Sequence, residues 1–331
     1  MLTNENAAHE TQAIEARANE ARANEARANE AQANEAQAND DLRFDGIWLP
    51  LVTPFKHGVV DHPALHRLVQ HLAAQGVAGF VACGSTGEAA MLDEVEQGAV
   101  LTTILAAAGP LPVLMGLSGV RPQQVAARAQ ALAAQYRVAG WLLAAPAYVK
   151  PSQAGIADYF HTVASATTLP LVAYDVPART GVRIQPATLL ALADHPRIRA
   201  VKDCSADRAA AESVLADGRL ALLGGNDDEL FDQLARGAVG AITATAHLAT
   251  AQFVALERLL RYAELGRARA LWRVLAPLTA AAFIAPNPVA IKAALARQGW
   301  MDDAVRAPML AAARGSADVV MAAVGAAEAC C

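Results

Sequence analysis

Two reactive side chains stand at the ends of two apolar runs. Leu171-Val172-Ala173 leads into Tyr174-Asp175-Val176-Pro177-Ala178-Arg179-Thr180-Gly181, and Ile198-Arg199-Ala200-Val201 delivers Lys202. A short apolar run bounded by turn residues reads as a buried strand. Between the two runs, Pro186 to Ala193 carries apolar residues at helical spacing and is long enough to return the chain across a parallel pair. Tyr174 and Lys202 are therefore expected at the same end of neighbouring strands. A lysine in such an apolar wall loses the hydration that favours its charged form, so its pKa falls from about 10.4 toward values at which a neutral amine attacks a carbonyl. A tyrosine beside it can move protons while a Schiff base forms. The same residues also suit a lysine that snorkels out of the strand end and a tyrosine that only packs in the core.

The elements that would position these groups alternate regularly from Phe44 onward. Gly46 to Val52 reads as a first strand, followed by a helix face of Leu65, Leu68, Val69 and Leu72. Gly79 to Cys83 is a second strand ending at Gly84-Ser85-Thr86-Gly87-Glu88, and a helix follows from Asp93 with Glu96 in capping-box spacing. Pro112 to Met115 and Trp141 to Ala144 are the third and fourth strands, with helices over Pro122 to Gln135 and about Ser152 to Ala166. The two runs above are the fifth and sixth. Leu220 to Leu223 and Gly240 to Thr243 are the seventh and eighth, before a helix striped by Phe253, Leu256, Leu259 and Leu260. Eight strand-then-helix units in roughly 220 residues are the arithmetic of a (β/α)8 TIM barrel. A doubly wound open sheet is the alternative, but the dinucleotide glycine fingerprint is absent after the first strand. The expected organisation is an α/β chain with a low-complexity tail over residues 1–42, the barrel over 43–265 and three further helices over 266–331.

In such a barrel the site lies at the C-terminal ends of the strands. Ser85 and Thr86 stand there after strand two, Tyr148 after strand four, Tyr174 and Arg179 after strand five, and Lys202 on strand six. Hydroxyls, a guanidinium and an amine suit a small anionic carbonyl compound. The amine would meet the carbonyl, hydroxyls and backbone N–H groups a carboxylate, and the arginine a second carboxylate.

With 331 residues, 54% of them hydrophobic and 18% charged, the chain can bury a large core. Its net charge of -5 argues against nucleic acid as a partner. No apolar run reaches membrane-spanning length and the N-terminus is polar, so a cytoplasmic protein without membrane contact is expected. Cys83, Cys204, Cys330 and Cys331 make neither a disulfide framework nor a zinc spacing. The tail repeats Glu-Ala-Arg-Ala-Asn and then Glu-Ala-Gln-Ala-Asn from Glu15 to Asn39, with no large apolar residue to bury, and reads as a solvated segment or a solitary helix.

The segments Gly84 to Glu88, Tyr174 to Gly181 and Val201-Lys202-Asp203 resemble the signatures of the pyruvate-dependent class I aldolase superfamily that includes dihydrodipicolinate synthase and N-acetylneuraminate lyase. The resemblance extends over about residues 44 to 315 and takes in Pro286-Asn287-Pro288 and Lys292. Within it, Pro177-Ala178-Arg179-Thr180-Gly181 is similar to the synthase branch, where the arginine holds the carboxylate of aspartate semialdehyde. The resemblance implies condensation of pyruvate with L-aspartate 4-semialdehyde to 4-hydroxy-tetrahydrodipicolinate, on the diaminopimelate route to lysine. It implies Lys202 as Schiff-base lysine, Thr86 with Ser85 on the pyruvate carboxylate, and Tyr174 relaying protons with Ser85 and with Tyr148 from a neighbouring subunit. Gly225 and Ile242 would line the pyruvate pocket. A homo-oligomer, most often a dimer of dimers, is implied, with neither metal nor organic cofactor. The alternatives are an aldolase for a sugar acid such as N-acetylneuraminate or 2-keto-3-deoxygluconate, and a keto-acid-binding barrel without catalysis.

Three departures from the synthase pattern stand out. Ser85 replaces the usual threonine, as in the lyases. Asp203-Cys204-Ser205-Ala206-Asp207 lacks the usual glycine, so this loop is expected to take another path. Ala147 replaces the first of two adjacent tyrosines, and Glu94 and Gln97 stand where lysine-inhibited members carry histidines, which predicts weak inhibition by lysine. Elsewhere, His62 and His66 have metal-ligand spacing but no third ligand near in sequence, and Asn226-Asp227-Asp228-Glu229 reads as a helix cap more than as a cation site. Cys83 and Cys204 flank the expected site, as small buried thiols or as redox-sensitive ones.

Overall fold

Eight apolar runs become the staves of one closed parallel barrel, in the chain order β1 (Gly46–Pro50), β2 (Gly79–Ala82), β3 (Val113–Leu117), β4 (Gly140–Ala144), β5 (Leu171–Asp175), β6 (Ile198–Asp203), β7 (Ala221–Gly224) and β8 (Gly240–Ile242). The computed structural model describes residues 42–329. The repeat-bearing tail up to residue 41 and the terminal Cys330 and Cys331 lie outside the described residues. Each strand pairs with the next, and β8 closes on β1 through Gly46 to Gly240 and Trp48 to Ile242. Parallel strands in a barrel face packed side chains on both sides, which is why they read as apolar runs rather than as alternation. Across β5 and β6 the register sets Tyr174 opposite Lys202 and Asp175 opposite Asp203.

The helices follow their local signals. His62–Ala73 is capped by Asp61, which accepts from the Ala64 N–H at 3.0 Å, and it buries Leu65, Leu68, Val69 and Leu72. Glu94–Ala107 opens on the reciprocal bonds of Asp93 and Glu96. Pro122–Gln135 has the expected bounds, and Gln153–Ser165 is capped by Ser152. Pro186–Leu192 returns the chain from β5 to β6. Thr250–Arg261 buries Phe253 and Leu256, with Leu259 and Leu260 half-buried against the same core.

Three helices follow the barrel, Leu265–Ala282, Val289–Arg297 and Ser316–Glu328. The middle one is buried over seven consecutive residues, Val289 to Leu295, Lys292 among them. A short hairpin after β1, Phe55–Lys56 with Val59–Val60, puts Phe55 in the core beside this helix. No helix among the described residues is long and apolar enough to cross a membrane.

Candidate active site

Lys202 and Tyr174 meet at the C-terminal ends of β6 and β5. The ammonium nitrogen lies 4.5 Å from the centre of the tyrosine ring. Both side chains are buried. Burial drives the Lys202 pKa below its ordinary value; Cys204 and Asp227 oppose that shift and Arg179 adds to it. Burial likewise lifts the Tyr174 hydroxyl well above its usual range, reinforced by Cys204 and partly offset by Arg179. At neutral pH the pair is thus a lysine biased toward its nucleophilic form beside a protonated phenol that can give and take a proton.

The loop after β2 supplies hydroxyls from a backbone that neighbours hold in an unusual shape. Cys83 and Glu88 take left-handed conformations, with φ of 50° and 56°, costing about 1–2 kcal/mol each for residues other than glycine. The restraint comes from three sides. Thr53 Oγ1 donates to the Gly87 carbonyl at 2.7 Å. Lys292 Nζ, fully buried, donates to Glu88 Oε1 at 2.5 Å and to the Thr53 carbonyl at 2.8 Å. The Arg306 N–H reaches the other carboxylate oxygen of Glu88 at 2.9 Å. A buried ion pair is tolerable only with its remaining lone pairs and protons satisfied, and here they are shared out over β1's loop and the C-terminal region. The loop then presents Ser85 exposed and Thr86 buried, with Thr86 Oγ1 accepting from Asn287 Nδ2 at 2.9 Å.

These groups share a cavity of about 370 Å³ in the barrel mouth. Lys202, Tyr174, Ser85, Thr86, Arg179, Gly225 and Ile242 all line it. A Cβ on Gly225 would lie 2.4 Å from Cys204 Sγ and 2.8 Å from the Asp203 carbonyl, so only glycine fits. Arg179 stands at the rim on the single helical turn Pro177–Thr180. Tyr148 is the one expected member that does not line the cavity. It projects, 92% exposed, from the loop after β4 with φ of 74°. A mostly apolar chamber of about 330 Å³ adjoins the cavity and shares Ser85, Tyr174 and Arg179 with it.

The loop after β7 differs from its sequence reading. Asn226 to Glu229 does not cap the following helix through its side chains: Asn226 Nδ2 donates to Glu229 Oε2 at 2.9 Å, and the cap positions carry no side-chain bond. Asp227 turns into the cavity wall instead, where Oδ1 accepts from Thr243 Oγ1 at 2.5 Å and the Thr245 N–H at 2.6 Å. The end of β7 delivers it against β8, and a buried carboxylate takes the nearest strong donors. After Lys202, the Asp203 carboxylate gathers the Ser205 N–H and hydroxyl at 2.8 and 2.6 Å, and Ala206 adopts φ of 56°, a conformation suited to glycine.

The remaining candidates settle as structural groups. His62 Nδ1 shares a hydrogen bond with Thr103 Oγ1 at 2.8 Å. Cys83 is buried with its thiol pushed up to about 12, and Cys204 lines the cavity with its thiol pushed up to about 11, in both cases chiefly by burial. Cys204 Sγ lies 3.9 Å from Tyr174 Oη. Glu88 and Asn287 are site residues to which the sequence alone gives no individual role, and Asp227 reads there only as part of a helix cap.

The sequence model of the dihydrodipicolinate synthetase family matches residues 43–327. The chain belongs to that family. Similar proteins include the 4-hydroxy-tetrahydrodipicolinate synthase of Thermodesulfovibrio yellowstonii, 34% identical over 80% of this chain and 92% of that one. The enzyme of the same name from Trichlorobacter lovleyi is 35% identical over 84% of this chain and 98% of its own length. A chloride-inhibited dihydrodipicolinate synthase from Acinetobacter baumannii, solved in complex with pyruvate, superposes with a TM-score of 0.83 at 29% identity, over 86% of this chain and 99% of that one. As a member of the dihydrodipicolinate synthetase family, the chain has the expected (β/α)8 barrel with C-terminal helices; of the positions read as departures from the synthase pattern, Ser85 and Cys204 of the segment Asp203 to Asp207 line the cavity and Ala147 lines the adjoining chamber.

Proposed function

We propose that the chain condenses pyruvate with L-aspartate 4-semialdehyde to give 4-hydroxy-tetrahydrodipicolinate, by way of a Schiff base on Lys202. The observation that carries the reading is a desolvated amine packed against a buried phenol, in a cavity that also holds hydroxyls and, at its rim, a guanidinium. The neutral Lys202 amine adds to the pyruvate carbonyl, and water leaves after the carbinolamine oxygen is protonated. Loss of a proton from the methyl carbon then gives a neutral enamine. That carbon attacks the aldehyde, forming the new C–C bond and regenerating the iminium while the aldehyde oxygen takes a proton; the amino group of the second substrate then adds to the iminium carbon, and the bond to Lys202 breaks, closing the ring and returning the lysine as an amine. Tyr174 and Ser85, which line the cavity, would carry these protons, and Thr86, whose hydroxyl accepts from Asn287, would donate to the pyruvate carboxylate. Arg179 would form the charge-assisted contact to the carboxylate of the second substrate.

The reading extends to a cytoplasmic homo-oligomer, a dimer of dimers. Support for shared sites comes from Tyr148, whose ring is exposed on the chain that carries it, and from the open chamber beside Ser85 and Tyr174 that a tyrosine from another copy could enter. Borohydride reduction in the presence of pyruvate is expected to leave a pyruvyl-derived mass on Lys202. Turnover with pyruvate and L-aspartate semialdehyde, measured beside cleavage of N-acetylneuraminate and 2-keto-3-deoxygluconate, decides the second substrate. Faster cleavage of either sugar acid would leave the lysine chemistry standing and overturn the role given to Arg179.

A further inference from the structure

Asp227 is a buried carboxylate in the wall of a cavity fitted for an anionic substrate. On charge alone it is misplaced, because it repels the keto acid that Thr86 and Arg179 would attract. Its hydrogen bonds do not account for the charge. Both fall on a single oxygen, Oδ1, from Thr243 Oγ1 and the Thr245 N–H, and a neutral amide oxygen in the same place would also accept them, though more weakly. What the charge faces is Lys202, Tyr174 and Cys204, with Arg179 acting on Lys202 and Tyr174 from the rim. Asp228, the neighbouring carboxylate on the same wall, is exposed and screened by solvent.

We infer that Asp227 is the fixed counter-charge of the Lys202 iminium, a positioning residue that acts through the lysine rather than on the substrate. The inference rests on the Schiff-base reading above and adds the source of its electrostatic stabilisation. Lys202 alternates between a neutral amine or enamine and a cationic iminium. Burial opposes every cationic state, and the Arg179 guanidinium opposes it further. A preorganised carboxylate offsets both at the moment the charge appears, without reorganisation, because the Thr243 hydroxyl and the Thr245 N–H, just beyond the end of β8, already hold it. It stabilises the iminium formed with pyruvate and the second one formed after carbon–carbon bond formation. Burial keeps Tyr174 and Cys204 protonated, and the Asp227 charge acts in the same direction on both.

The test is Asp227→Asn in the full chain, beside Thr243→Val. The amide keeps the Oδ1 contacts and removes only the charge; the valine removes one contact and keeps the charge. The readouts are the pH dependence of kcat/KM for pyruvate and of borohydride trapping at Lys202. Without the carboxylate the lysine loses its proton more readily, so the acid limb of both profiles is expected to move down by about one pH unit in D227N. The maximal rate is expected to fall about 10²-fold, because each iminium has lost its partner. In T243V the acid limb is expected to stay where it is. A limb that stays in place in D227N, with trapping intact, would overturn the counter-charge. A limb that moves as far in T243V would assign the effect to loop structure and overturn it equally. Absence of any adduct in the unsubstituted protein would remove the Schiff base itself, a result distinguishable from either.

Discussion

Asn287 Nδ2 donates to Thr86 Oγ1 at 2.9 Å, joining residues 201 positions apart in the chain. A hydroxyl that accepts one hydrogen bond keeps its own proton for another acceptor, which on the proposed reaction would be the pyruvate carboxylate. Asn287→Ala is expected to raise the KM for pyruvate about tenfold with a smaller change in kcat, the loss of about 1.4 kcal/mol. Steady-state kinetics with pyruvate varied would show it; an unaltered KM would mean that Thr86 orients itself.

The Glu88–Lys292 pair is fully buried on both sides. Removing one partner of such a pair leaves an uncompensated charge in the core, so Lys292→Met is expected to destabilise the fold by about 3–5 kcal/mol. Adding Glu88→Gln to the same chain should recover part of that loss. Denaturant unfolding of the single and double variants measures both. Equal stability of K292M and the parent chain would show that the loop after β2 is held by its other contacts.

Asp175 gives a pH dependence of known sign. It is buried, one oxygen accepts from the Ile184 N–H at 3.2 Å, the other, Oδ2, has no partner, and burial pushes its pKa up to about 7. The Ile184 N–H and Arg183 pull the value down, while Asp203 and Asp207 push it up. In the unfolded chain the carboxyl releases its proton near pH 3.9. Its folded pKa is the higher, so the group favours folding at acid pH, loses that advantage progressively between about pH 4 and pH 7, and adds no further change above. D175N escapes this loss. Its melting temperature relative to the parent chain is expected to rise between about pH 4 and pH 8, and a constant difference would show that Asp175 stays ionised.

Mixed oligomers test the placement of Tyr148. Lys202→Ala should abolish turnover and Tyr148→Phe should lower it about 10²-fold, the ordinary worth of a proton-transferring group. If each site takes its tyrosine from a second copy, a mixed dimer of the two variants restores one complete site of its two. Random pairing of equal amounts then returns about a quarter of the parental activity. Activity no higher than the mean of the separate variants would place Tyr148 in its own chain's site.

Weak inhibition by lysine is the expected outcome of the changes at Glu94, Gln97 and Ala147. Arg128 pairs with Glu94 and donates to Gln97 Oε1 at 2.7 Å, while the Gln97 amide donates to the Ala89 and Leu92 carbonyls at 3.0 and 3.1 Å. These side chains are already engaged with one another. Half-maximal inhibition at lysine concentrations below about 1 mM, an affinity of about 4 kcal/mol or better, would contradict the expectation.

The barrel was legible because its signals are local. Apolar runs with glycine or proline at one end or both marked the eight strands, Asp93 with Glu96 announced its helix, and the runs ending at Tyr174 and Lys202 set those residues at the same end of neighbouring strands. What stayed hidden involves partners far apart. Nothing in the run from Gly84 to Glu88 says that Lys292 neutralises its glutamate or that Asn287 holds its threonine. Asn226 to Glu229 looks like a cap because Asn and Asp cluster before a helix, but its direction is set by Thr243 and Thr245 beyond the intervening helix. Ala206 takes a left-handed conformation although it is not glycine, beside the bonds from Ser205 to the Asp203 carboxylate, and residue type alone does not announce such a turn.

The C-terminal region lends Asn287, Lys292 and the Arg306 N–H to a loop that is made more than 200 residues earlier. On a ribosome the eight strands emerge first, and the Glu88 carboxylate waits without its cation until the last helices have been synthesised. The pocket is therefore a late product of translation, completed after the barrel that surrounds it. A chain cut short ahead of Asn287 would carry Lys202, Tyr174 and Arg179 in full and still lack the grip on the loop that presents Ser85 and Thr86, which ties the finished shape of the cavity to the completion of synthesis.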